Sequence, residues 1–245
     1  MAAEHIIKGY DEELNRLNGM IVEMGGFAES QLAAAVEAVA RRDSELAAAV
    51  IEGDEKVDQL ERDLDNLAIR LLALRQPMAR DLREIVVALK IGSDLERICD
   101  YAANVAKRAI ALAQSPPIQP VHGLPRMAGL ALRLVKDVID SYVERDADKA
   151  LAVWRGDQEL DEMYSSLFRE FLTYMMEDPR NIGACTHLLF MAKNIERIGD
   201  HATNIAENLY YLVHGTPLTQ ARPKGDKSSL EVVAPDRAAG PAPAR

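Results

Sequence analysis

The sequence predicts an all-α protein, two tandem, duplicated three-helix bundles followed by a disordered C-terminal tail. Three observations predict it. Apolar residues recur at three- and four-residue spacing along most of the chain, which lays a stripe down one face of a helix. Strand signals are scarce: aromatic residues make up only 5% of the chain, and β-branched residues nowhere alternate steadily with polar ones. Most informative, Leu95-Glu-Arg-Ile-Cys-Asp-Tyr-Ala-Ala-Asn-Val-Ala106 returns as Ile195-Glu-Arg-Ile-Gly-Asp-His-Ala-Thr-Asn-Ile-Ala206. Seven of the eleven residues from 96 to 106 match the residue one hundred positions on, a density that helical composition alone does not give. The chain is internally duplicated.

The first helix of each unit shows as a stripe: Ile21, Met24, Ala28, Leu32, Ala35, Val36 and Val39, then Leu124, Met127, Ala131, Val135, Val138, Ile139 and Tyr142 at an offset of 103. At the same offset Arg42-Asp43 answers to Arg145-Asp146, and Gly53-Asp54 with Asp58 to Gly156-Asp157 with Asp161. The second helix spans about Ser44 to Leu74, with an expected break at Gly53-Asp54, where Gly can end one helix and Asp cap the next. Gly156-Asp157 predicts the same break in the copy. The third helix follows Pro77 to about Ala113, and its twin follows Pro179 to about Val213. The offset falls from 103 to 100 before Glu196, so three residues are lost near Pro179, at a helix-to-helix turn.

These elements give a first repeat over 1–113, a linker over 114–120 (Gln114-Ser-Pro-Pro-Ile-Gln-Pro120), a second repeat over 121–214 and a tail over 215–245. Five of the eleven prolines fall in 216–245, mixed with Gly, Ser and scattered charge, which predicts disorder there.

Composition narrows the function. With 48% hydrophobic residues in 245, the chain can bury real cores. A formal charge of −10 without a Lys/Arg block argues against nucleic acid as a partner. Cys99 and Cys185 sit at non-equivalent points of the repeat, which fits free thiols in a reducing cytosol rather than a disulfide framework. The acidic N-terminal segment lacks the pattern of a signal peptide, and no apolar run approaches bilayer length. The expectation is a soluble, cytoplasmic protein that meets a membrane only through its partners.

Glu96 and Asp100 stand four residues apart on one helix face, with Cβ atoms ~6 Å apart, and so do Glu196 and Asp200. At 100° per residue Glu96, Asp100 and Asn104 centre almost opposite the apolar stripe of Ile91, Leu95, Ile98, Ala102 and Val105, so they are expected to face outward. The middle helix carries Asp54, Asp58, Glu61 and Asp65 in a row; the copy keeps Asp157 and Asp161 but has Tyr164 and Phe168 next. If the second and third helices pack side by side, each unit gathers four carboxylates that repel unless a cation intervenes. All-oxygen ligands suit Mg²⁺, Ca²⁺, Mn²⁺ or iron better than zinc. His201 adjoins Asp200 but is Tyr101 in the first copy, so His is not a shared ligand. The alternative is a pair of solvated faces on which Arg97 and Arg197 pair the aspartates for tenths of a kcal/mol.

Catalytic signatures are missing: no phosphate-cradling Gly-x-x-x-x-Gly-Lys-Ser/Thr loop, Gly-x-Ser-x-Gly elbow, His-Glu-x-x-His helix or Glu-x-x-His di-iron motif occurs. An enzyme is not expected.

Two tandem three-helix units, each with Gly-Asp-x-x-x-Asp on the middle helix and Glu-Arg-Ile-x-Asp-x-Ala-x-Asn on the third, resemble the PhoU family over about residues 8–214. The resemblance implies a cytoplasmic negative regulator of the bacterial phosphate-starvation response that also restrains phosphate uptake. It implies contacts with the ATPase subunit of the phosphate ABC importer and the PAS region of a sensor histidine kinase, and a homodimer. It further implies multinuclear divalent or trivalent metal sites at Asp54/Asp58 with Glu96/Asp100 and at Asp157/Asp161 with Glu196/Asp200, with Asn104 and Asn204 as trailing candidate ligands. The rival is a metal-buffering or metal-dependent hydrolytic protein using the same clusters; a third reading is a purely structural scaffold.

Overall fold

The structure, a computed structural model, describes residues 2–75, 77–116, 123–222 and 224–226. Six α-helices run in the order α1 (Ala2–Arg41), α2 (Ser44–Arg75), α3 (Ala79–Ala113), α4 (Gly123–Glu144), α5 (Ala147–Glu177) and α6 (Ile182–His214), with one 3₁₀ turn at Pro179–Asn181. No strand occurs among the described residues. Both first-helix stripes face inward: Ile21, Met24, Ala28, Leu32, Ala35 and Val39 are buried, with Val36 partly so, and all seven residues of the α4 stripe are buried.

The duplicated Arg-Asp pairs make duplicated turns. Arg42 and Arg145 share a left-handed φ of 56°, which reverses the chain between the first and second helices of each unit. The Asp that follows caps the next helix: Asp43 accepts from the Glu45 and Leu46 amides, and Asp146 from those of Asp148 and Lys149. Each cap is worth about 1 kcal/mol. Gly215, at φ 78°, ends α6 in the left-handed conformation, where an added Cβ would strike the Arg83 guanidinium.

The middle helices are unbroken, against the expectation at Gly53 and Gly156. Glycine serves close approach there instead. A Cβ at Gly53 would lie 2.9 Å from Gln31 Nε2 on α1, and one at Gly156 3.3 Å from Leu134 Cδ2 on α4. Asp54 and Asp157 thus continue a helix rather than cap one.

Within each unit the three helices pack on one another, and across the units α3 meets α6 and α1 meets α4. Along α3 and α6 the contacts pair Arg83 with Tyr211, Asp94 with Asn204, Tyr101 with His201 and Arg108 with Phe190. Numbers rise on one helix as they fall on the other, so the two are antiparallel. Equivalent residues meet near the middle, as a two-fold-related pair requires. One contiguous apolar core runs through both repeats.

A polar bridge adds register between α1, α3 and α4. Tyr142 Oη donates to Asn18 Oδ1 at 2.5 Å, Asn18 Nδ2 donates to Glu84 Oε1 at 2.9 Å, and Arg145 donates to both Asn18 and Glu84. Arg42, the counterpart of Arg145, instead donates to the α3 C-terminal carbonyls of Leu112 and Ala113 at 3.0 and 2.8 Å and to Ser115. Most of the linker, from 117 onward, lies outside the described residues.

The expectation of a structureless tail needs one amendment. Residues 216–222 and 224–226 have no helix or strand, yet they run back along α6 and bond to α5 and α6; the tail beyond 226 lies outside the described residues. Cys99 and Cys185 are buried free thiols, and among the described residues no helix is long and apolar enough to cross a membrane.

Candidate functional site

Each repeat brings four of the expected carboxylates into the seam between its second and third helices. In the first, α2 supplies Asp54 and Asp58 and α3 supplies Glu96 and Asp100, with Glu61 joining from the next turn of α2. Burial, then Asp100, push the Glu96 carboxyl up to about 7, against the pull of Arg97, with Glu61 and Asp58 adding to the rise. Burial, Asp100 and Asp58 raise Asp54 as well, while Lys107 opposes them. Arg97 lies over the rim, its Nε 3.5 Å from Glu96 Oε2 and its Nη1 3.1 Å from Asp100 Oδ2. More than half of that arginine faces water, so the pairing is weak.

In the second repeat, α5 supplies Asp157 and Asp161 and α6 supplies Glu196 and Asp200. Asp157, Asp161 and Glu196 are 0%, 2% and 4% exposed. Burial pushes Asp157 up to about 6 against the pull of Arg222, and Glu196 up to about 7 against that of Lys193. The outward orientation expected for Glu96 and Asp100 is therefore only partly right, since both are half-buried, and Glu196, the counterpart of Glu96, is buried. The helical wheel located the face away from α1 and α4, and the second helix of the same unit, whose side-by-side packing gathers the four carboxylates, also covers part of that face.

Gly199 accounts for the deeper burial in the second cluster. A Cβ there would lie 2.3 Å from Asp157 Oδ1 and 2.4 Å from Leu160 Cδ2, so only glycine lets this carboxylate press onto α6. The equivalent residue in the first repeat is the buried Cys99, and Asp54 opposite it stays partly exposed.

Asn204 parts company with its cluster. Asn204 is exposed, and its Nδ2 reaches Asp94 Oδ1 on α3 at 3.3 Å; Asn104 is half-buried. His201 likewise turns from Asp200 to Asp94, with Nδ1 2.8 Å from Oδ1.

Sequence reasoning missed the cations of the second cluster. Lys193 Nζ is 2.8 Å from Glu196 Oε1, a pairing that the three-residue spacing on α6 could have revealed. Arg222 donates to both Asp157 Oδ2 and, at 2.6 Å, Asp200 Oδ1; nothing in its proline-rich surroundings signals this.

Among the described residues no three carboxylate, His or Cys donors converge closely enough to ligate one ion as they stand. The donor chemistry still suits a hard cation, being all oxygen and poorly hydrated. Asp157 Oδ1 and Glu196 Oε2 are buried without a hydrogen-bond partner. Either atom would gain from a cation brought within reach.

Comparison with known proteins agrees with this duplicated architecture. The PhoU domain family model matches twice, at residues 21–109 and 124–209. A phosphate-specific transport system accessory protein PhoU homolog from Caulobacter vibrioides is 52% identical over 91% of this chain and 97% of its own length. One from Rhizobium meliloti is 51% identical over 94% of this chain and 97% of its own. The crystal structure of PhoU from Pseudomonas aeruginosa superposes with a TM-score of 0.82 at 40% identity, covering 84% of this chain and all of that one. The phosphate transport system regulatory protein PhoU from Streptococcus pneumoniae gives 0.80 at 29% identity, covering 86% of this chain and all of that one. With both repeats matched and relatives aligned over nearly their whole length, the chain belongs to the PhoU family.

Proposed function

We propose that the chain is a cytoplasmic, non-enzymatic regulator of phosphate transport that represses the phosphate-starvation response and restrains uptake. It acts as a helical adaptor between the ATPase subunit of the phosphate ABC importer and the PAS region of a sensor histidine kinase, and assembles as a homodimer. The observation that carries this reading is the near full-length match to proteins described as accessory to phosphate-specific transport. Divalent cations at the carboxylate clusters tune the negative surface that a partner meets.

The surface supports an adaptor with two ends. Exposed Leu74, Met78 and Leu82 flank the α2–α3 turn, and exposed Met176 and Ile182 flank the α5–α6 turn. Because α3 and α6 are antiparallel, these apolar turns lie at opposite ends of the molecule, free to meet different proteins.

The test is biolayer interferometry of the purified chain against the importer's ATPase subunit and against the cytoplasmic part of the kinase, each with and without Mn²⁺. Saturable binding to both, strengthened by Mn²⁺, supports the reading. Binding to neither removes the adaptor.

A further inference from the structure

We propose that residues 217–222 and 224–226 are a tethered occupant of the second carboxylate cluster: the Arg222 guanidinium fills the place a cation would take, so external cations load the first cluster before the second. The competition with metal rests on the function proposed above; the seating of the tail does not.

The seat is built from several contacts. Arg222 bridges Asp157 of α5 and Asp200 of α6, and its side chain is only 13% exposed. The Gly225 amide donates to Asp161 Oδ2 at 2.8 Å. Lys193 Nζ joins Glu196 Oε1 at 2.8 Å to Asp226 Oδ2 at 3.1 Å. Every carboxylate of the second cluster is thus engaged by the tail directly or through Lys193. The fit is also steric: a Cβ at Gly225 would lie 2.9 Å from Asp161 Cβ and 3.0 Å from the Gln158 carbonyl oxygen. Leu218 packs against the apolar core and, with Pro217, lines the groove between α3 and α6, which anchors the start of the segment.

Chain length makes the contact conditional. From His214 back to Asp200 the helix rises about 21 Å, and the eight residues from Gly215 to Arg222 span about 26–29 Å at full extension. The segment covers that rise with a slack of about two residues, so removing three residues before Arg222 leaves about 17 Å of chain and draws the guanidinium back from its seat. A charged group buried between two aspartates must be paired to be tolerated, so withdrawal leaves acceptors that take a metal ion instead. In the first cluster the corresponding cation is Arg97, which belongs to the helix itself and lies mostly in water.

Two readouts on the full-length chain, its Arg222→Gln variant and a variant lacking residues 219–221 separate the seating from the competition. The first, without metal, is hydrogen exchange at the Gly225 amide, expected to be at least tenfold slower in the parent than in either variant. Equal exchange in all three overturns the seating. The second is Mn²⁺ binding by equilibrium dialysis, in which both variants are expected to gain a class of sites absent from the parent, lost again when Glu196→Gln and Asp200→Asn are added. Unchanged stoichiometry with slow parental exchange overturns the competition and keeps the seating. No Mn²⁺ binding by any of the chains removes both the metal part of the proposed function and the competition.

Discussion

The two repeats hold the same four carboxylates in two electrostatic settings. In the first cluster the acids are partly open, and the arginine over them is more than half exposed. In the second, three of four are buried, and their charge is met by Arg222 from the tail and by Lys193, where the first repeat has Ser93. A single side chain contributes to the difference, since Gly199 admits Asp157 where the first repeat has the buried Cys99. Duplication preserved the four carboxylates, and small changes beside them altered access. Like-charged groups withdrawn from water need a cation; the second copy draws its own from the tail and from Lys193, whereas the first has only the half-exposed Arg97 over it.

The largest expected effect comes from emptying the open cluster. Glu96→Gln with Asp100→Asn should weaken Mn²⁺ uptake at least tenfold in equilibrium dialysis, with helicity by circular dichroism unchanged. The matching pair Glu196→Gln with Asp200→Asn should leave that uptake largely intact while the tail is in place.

Next comes the glycine. Gly199→Cys gives the second repeat the residue of the first and forces Asp157 and Leu160 aside, at a cost of about 1–3 kcal/mol from overpacking. Thermal unfolding should show a melting temperature lower by several degrees. An unchanged value would mean that α5 moves outward freely, and the steric account of the deeper burial would fail.

A pH series sharpens the electrostatics. Glu96 and Glu196 are held at about 7, above the ordinary 4.5, and Asp157 at about 6, above the ordinary 3.8. Folded carboxyls with raised pKa bind protons more tightly than unfolded ones. Their contribution to stability is therefore fully present below about pH 4 and lost as pH rises through 6 to 7. The metal-free chain should melt at a higher temperature at pH 5.5 than at pH 8, and saturating Mn²⁺ at pH 8 should recover part of the difference.

The smallest effect belongs to the rim. Arg97→Ala removes an exposed pairing worth at most about 1 kcal/mol, so unfolding should hardly change. Mn²⁺ affinity at the first cluster should rise, because a competing cation is gone. Arg197, which lies over the Tyr101 ring rather than the acids, should show no such rise when replaced.

Much of this was legible in the sequence. Apolar spacing gave the helices, and the repeated Glu-x-x-x-Asp pairs gave the residues that converge, because both follow from helical geometry along one segment. The Arg-Asp turns were visible as a repeat, though not the left-handed backbone that they carry. What escaped depends on neighbours distant in sequence. Gly53 and Gly156 read as breakers because their packing partners, Gln31 and Leu134, lie on another helix. The burial of Asp157 depends on a missing Cβ on α6, and Arg222 sits in a segment whose composition signals disorder. Asn204 carried the motif's spacing but points across the pseudo-two-fold to Asp94.

The central claim is that one carboxylate cluster is open to a cation and the other is filled by the chain itself. The most direct measurement is Mn²⁺ binding by the full-length protein, with occupancy assigned by paramagnetic broadening of amide resonances. Broadening confined at low Mn²⁺ to residues around 54–58 and 96–100, spreading to 157–161 and 196–200 only when Arg222 is replaced, is the predicted result. Simultaneous broadening at both clusters in the parent chain, or none at either, would contradict it.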